Sequence, residues 1–133
     1  MKRRLIGFVL TLVMILVACA PAATAAIVTP MMISGGDCSL NNSGRNVTYA
    51  GYTSSPMTED IISVTLTLME LRSGTWYAVN STTKTLTNAS YVSTSKSYTV
   101  TGGGYYKVKG YHCSNTDGQI TSVNSESAAV WIP

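Results

Sequence analysis

One histidine, six acidic side chains and three cysteines are the residues of this 133-residue chain best suited to acid–base, metal or thiol chemistry. His112 lies in the run from Tyr105 to Cys113, where alternation puts Tyr106, Val108, Gly110 and His112 on one face. Tyr106 and Val108 read as inward, so His112 reads as a hydrogen-bonded structural histidine at the end of a core. A metal site would need partners, but there is no second histidine and no C-x-x-C spacing. A Ser-His-Asp triad would have many serines to draw on, yet no G-x-S-x-G elbow supports one. Asp37, the pair Glu59 and Asp60, and Asp117 are the acidic candidates. Paired carboxylates serve glycoside chemistry and several oxygens serve calcium. No D-x-D-x-D-G run is present, so turn formation is the expected task of each. The expectation is therefore no catalytic residue, no metal and no cofactor.

The opposite face of the same run has a different character. Tyr105, Lys107, Lys109 and Tyr111 alternate outward, and Thr65 and Thr67 are expected to flank them. Flat aromatics beside hydrogen-bonding groups can stack a sugar ring or hold a protein partner. Tyrosines and lysines are also ordinary on exposed strands, where lysines discourage aggregation through free edges. This is the candidate binding face. Trp76 and Trp131 fall in expected strands, where packing accounts for them. N-x-S/T triplets begin at Asn41, Asn46, Asn80 and Asn88, and the bacterial look of the N-terminus makes them silent.

The N-terminus reads as an address label. Lys2, Arg3 and Arg4 precede an apolar run from Leu5 to Ala18, the pattern of a signal peptide rather than of a span of about 20 residues. Two processing sites compete. Ala23-Thr24-Ala25 suits a signal peptidase and would leave Ala26 first. Leu16-Val17-Ala18-Cys19 resembles the lipobox of bacterial lipoproteins, in which Cys19 would carry a lipid and hold the protein at the outer face of the membrane. The first fits the preceding Pro21 and is preferred. The expected division is residues 1–25 signal peptide, 26–36 linker and 37–133 folded domain.

The chain's formal charge of +3 lies wholly in Lys2, Arg3 and Arg4. Beyond them Arg45, Arg72, Lys84, Lys96, Lys107 and Lys109 balance the six acids. A near-neutral domain has no general pull on phosphate backbones, which argues against nucleic acid. Once Cys19 is removed or lipidated, Cys38 and Cys113 remain as an even pair in an exported chain, and a disulfide between them is expected.

Positioning these residues falls to strands. Ser, Thr, Tyr and Val dominate, Gly and Asn punctuate, and no segment keeps a helical period. Cys38–Leu40 and Asn46–Thr53 come first, with a break at Ser54-Ser55-Pro56. Ile61–Leu71 follows, with Ile62, Val64, Leu66 and Leu68 as its core face. Ser73-Gly74 turns into Thr75–Ser81. After a polar stretch come Ser95–Thr101, the Gly102-Gly103-Gly104 loop, Tyr105–Cys113 and Ala128–Ile132, with a turn at Asp117-Gly118. About seven short strands predict an all-β, two-sheet antiparallel β-sandwich.

The segment Ser97-Tyr98-Thr99-Val100, the glycine loop and Tyr105-Tyr106-Lys107-Val108-Lys109 resemble one corner of fibronectin type III and other immunoglobulin-like domains. Ala128–Ile132 would then be the closing strand. The signal peptide, Ser73-Gly74-Thr75-Trp76, Gly104–Lys109 and the apolar C-terminal strand together resemble small secreted proteins of Gram-positive, clostridia-like bacteria. That resemblance implies fold and location and carries no biochemical role. The leading expectation is a non-catalytic module of the bacterial envelope that binds cell-wall glycan or an extracellular protein. The alternatives are a carbohydrate-binding module, a secreted toxin or antimicrobial effector, and, least favoured, a small hydrolase.

Overall fold

A computed structural model describes residues 33–133; the expected signal peptide of residues 1–25, Cys19 and most of the expected linker lie outside them. The described chain is all-β. Its strands are β1 (Gly35–Ser43), β2 (Asn46–Arg72), β3 (Thr75–Thr99), β4 (Gly104–Thr116), β5 (Gln119–Glu126) and β6 (Val130–Ile132).

The expected two sheets of about seven short strands are replaced by six strands in one antiparallel sheet. Two strands are very long: β2 has 27 residues and β3 has 25. The first arm of β2, through Ser54, lies between β1 and the far arm of β3. Its second arm, from Ile61, lies between the near arm of β3 and β4. β4 also pairs with β5 and β6.

The two arms of β2 meet at a break in register. Ser54 pairs with Tyr91 and Glu59 with Ala89, so β2 carries extra residues there. Pro56 sits inside this break, where its missing N–H breaks no ladder bond. Asn88, on the facing side, has φ +50°. Both strands bend at this point, and the sheet curls over on itself without losing continuity. Glu59 is buried at the bend and accepts hydrogen bonds from Ser55 and Thr116, and the Asp117 N–H donates to Asp60 at 3.0 Å. The acids expected in turns thus tie the bend of β2 to the β4–β5 turn.

Curling brings β1 against β4 without pairing. The Gly36 backbone lies so close to the His112 ring that a Cβ there would fall 2.5 Å from it. Val47 and Tyr49 from the first arm share one core with Ile62, Val64, Leu66 and Leu68 from the second. Tyr106, Val108 and Ile132 complete it. The Tyr49 hydroxyl donates to Asn80 at 2.6 Å, linking the first arm of β2 to the near arm of β3. Two-residue turns close the hairpins at Ser73-Gly74 and Asp117-Gly118, with φ positive at all four residues, as the strand twist demands.

Candidate functional site

Along β4 the side chains alternate strictly. Tyr106, Val108, Gly110 and His112 are buried, and Tyr105, Lys109 and Tyr111 are exposed, with Lys107 partly so. The pleat places these four outward residues on one surface with their neighbours. Thr65 stands opposite Tyr111, and Thr67 opposite Lys109, so both threonines flank this face although the sheet is not the expected sandwich. On the other side of β4, Tyr111 faces Asn124 and Lys109 faces Glu126.

Both tryptophans join this surface, which the sequence reading did not foresee. Tyr105 pairs with Trp131 across the β4–β6 ladder, ring centroids 5.2 Å apart in an edge-to-face arrangement. The Lys107 ammonium lies 4.4 Å from the centre of the Trp76 ring. It also pairs with Glu126 at 2.9 Å, and Lys109 approaches the same carboxylate at 3.6 Å. The hydrogen bond from Lys107 comes first in holding the Glu126 carboxyl below its usual range, and both lysine charges add to it. Trp131 is 52% exposed, Tyr105 46% and Tyr111 45%. Their mutual contacts hold several of these side chains in place at the surface.

His112 is fully buried. Its Nδ1 lies 2.8 Å from Thr53 Oγ1, and its Nε2 lies 2.8 Å from Ser125 Oγ. The Thr53 hydroxyl donates to the Ser63 carbonyl at 2.9 Å, so it accepts from Nδ1–H. The neutral ring then accepts from Ser125 at Nε2. The chain Ser125–His112–Thr53 has the connectivity of a proton relay. Gly36 covers the ring, however, and the three residues join β5, β4 and β2 as a cross-strand tie. Burial pushes the imidazole below its ordinary value, with the Asp37 charge and a backbone bond to Tyr52 opposing in part.

The expected disulfide is corrected: Cys38 and Cys113 are both free. Cys38 is buried on the inner side, its thiol 3.5 Å from the Val108 carbonyl. Cys113 has odd-numbered parity on β4 and faces outward with Tyr111. Cys38 points from β1 into the core, whereas Cys113 points away from it on the outer face of β4, so bridging them would require the backbone to turn over.

At the other end of β4, buried Glu70 accepts from the Tyr106 hydroxyl at 2.9 Å and from Arg72 Nε at 2.6 Å. Burial raises the Glu70 carboxyl, but the bonds from Arg72 and Tyr106 outweigh it and hold the group below its usual range.

Residues 23–130 match a family described as of unknown function, DUF6147. The chain belongs to this family. No curated protein matches this chain. Among solved structures, the solution structure of CsgH from R. palustris is similar, with a TM-score of 0.40 at 11% identity. The match covers 69% of this chain and 90% of that one.

Proposed function

We propose that this DUF6147 protein is an exported, non-catalytic binding module that works at the bacterial envelope through the outer face of β4. Trp131, Tyr105 and Tyr111 form the contact surface, and Lys107, Lys109 and Glu126 supply a charged border. The observation that carries this reading is the exposed aromatic group held by its own contacts: Tyr105 against Trp131, and Lys107 over Trp76. Tyr and Trp are what binding surfaces concentrate inside a polar rim, and they are prominent among the residues that dominate binding energetics. Export supplies the compartment, through the basic and apolar N-terminal pattern. Attachment through Cys19 would restrict the same surface to the outer face of the membrane.

A pull-down of cell-envelope fractions on immobilised protein tests the reading. Tyr111→Ala and Trp131→Ala should each weaken capture by roughly tenfold or more, in line with loss of an aromatic anchor. Capture that is unchanged in both variants would remove the face from consideration.

A further inference from the structure

The first arm has an outer face of its own, on the side of these strands opposite the core-facing Val47 and Tyr49. Register places three rows across β1, β2 and β3 there. Asp37 stands opposite Tyr52, which stands opposite Ser93. In the next row Ser39, Ala50 and Ser95 face one another. In the row on the other side, Tyr91 stands opposite Ser54 and stacks on Tyr52, centroids 5.8 Å apart and planes 22° apart. Small side chains beside a raised aromatic pair leave a trough of about 570 Å³. That is within the usual size for small-ligand sites, roughly 300–1,000 Å³.

The lining is chemically mixed. Tyr52 and Tyr91 are both exposed and give an aromatic wall. Ser39, Ser93 and Ser95 bring hydroxyls that both donate and accept. The Asp37 carboxylate is anchored by the Cys38 N–H at 2.8 Å, and Lys84 joins the lining from the near arm of β3. One carboxylate and one ammonium leave the trough with no net charge. That disfavours phosphate-bearing ligands, since Asp37 repels what Lys84 attracts. A purely apolar ligand would leave the hydroxyls and the carboxylate desolvated and unpaired.

We propose that this trough binds a pyranose ring of a neutral glycan. A pyranose has a C–H face that packs on an aromatic ring and a rim of hydroxyls that donate and accept. The tyrosine pair takes the first; the serines, Asp37 and Lys84 take the second. The site is separate from the β4 face, on different strands and different residues, so either can stand without the other.

The test is an amide-resolved NMR titration of the purified protein with tetra-N-acetylchitotetraose and with cellotetraose. Saturable shifts confined to Ser39, Ala50, Ser93, Ser95 and their neighbours are expected with at least one of them. Tyr91→Ala should weaken that binding by about tenfold, the size of an aromatic contact worth roughly 1.4 kcal/mol. Ser95→Tyr, which fills the trough from an exposed edge position, should abolish it. Trp131→Ala and Tyr111→Ala should leave it unchanged. The spectrum of each variant reports folding directly, and Asp37→Asn replaces any variant that fails to fold. No shift with either oligosaccharide at several millimolar, or undiminished binding by Ser95→Tyr, overturns the proposal. Shifts abolished by Trp131→Ala and kept by Tyr91→Ala would also overturn it, while leaving the β4 face intact.

Discussion

His112 carries no charge at neutral pH, because protonating it would place an ion among Thr53, Ser125 and the Gly36 backbone. Its folded value lies below the ordinary imidazole value of about 6.5. The unfolded chain therefore binds more protons than the folded one as the medium becomes acid. The stability this ring confers is complete above the ordinary value and is lost as the pH falls from there through the depressed one. Melting temperature should decline between about pH 7 and pH 5, above the range where ordinary carboxylates titrate. His112→Gln, measured over the same range, should show a flatter profile from a lower starting point. A parallel decline in both proteins would assign the effect elsewhere. The cysteines give a second residue-scale outcome. Burial raises the Cys38 thiol and hides it, whereas Cys113 is partly open. Brief alkylation of native protein, read by peptide mass, should modify Cys113 and leave Cys38 until denaturant is added. Resistance of both would restore the disulfide. Cysteine count and compartment motivated that bridge, and neither carries the one fact that decides it, the parity of residue 113 on its strand. The same parity was legible for Tyr105 to His112, since β4 alternates without a bulge. Trp131 joined that face through its long-range pairing with Tyr105. Trp76, placed by the local hairpin opposite Leu71, met Lys107 only through the long-range pairing of β2 with β4, and no local pattern records either long-range pairing.

At the scale of elements, the core face of Ile62 to Leu68 and the glycine-containing turns were readable because each is a local pattern. Strand length was not. Ser54-Ser55-Pro56 and the polar run after Ser81 look like breaks, yet each lies within a long strand that keeps its direction of pairing. Proline is tolerated because it falls where β2 and β3 skip register, and Ser and Thr are tolerated because they fit a pleated, half-solvated surface. β5 was missed for a related reason. Its sequence, Gln119–Glu126, has Ile120 exposed and no buried side chain, so it shows no apolar alternation at all. It is a strand because β4 offers it an edge. Closure of the curl depends on β1 lying flat over β4, and Gly36 is the contact point. Gly36→Ala should cost about 1–3 kcal/mol by overpacking against the His112 ring, read from denaturant midpoints. An unchanged midpoint would mean that β1 has room to lift. Tyr106→Phe should cost about 1.5–3 kcal/mol by removing a buried bond to the Glu70 carboxylate, with the backbone otherwise untouched.

A sheet that curls without closing has free edges, and the whole molecule must live with them in solution. Among the described residues β3 pairs only with β2, so one side of 25 consecutive residues is open. Strands of this kind template pairing with a second chain unless charge, bulges or cover prevent it. β3 has no proline, and most of its outward side chains are Ser and Thr, which do not repel. Its protection comes from the bend near Asn88, which breaks the edge into two arms, and from two lysines. Lys96 on the far arm donates to the Ser81 carbonyl on the near arm at 3.2 Å. It thereby bridges the open side of the curl and occupies an edge acceptor that a second chain would use. Lys84 adds a second charge close by, in the lining shared with Tyr91 and Ser95. Lys96→Val removes the charge and the bridge together while raising strand propensity. The expected outcome is concentration-dependent self-association in sedimentation velocity, with the far-ultraviolet spectrum of the folded protein retained. Lys96→Arg keeps a donor and a charge and should stay monomeric under the same conditions. If Lys96→Val also sediments as a monomer, the bend alone guards the edge, and substitutions that straighten it around Asn88 become the place to look for association.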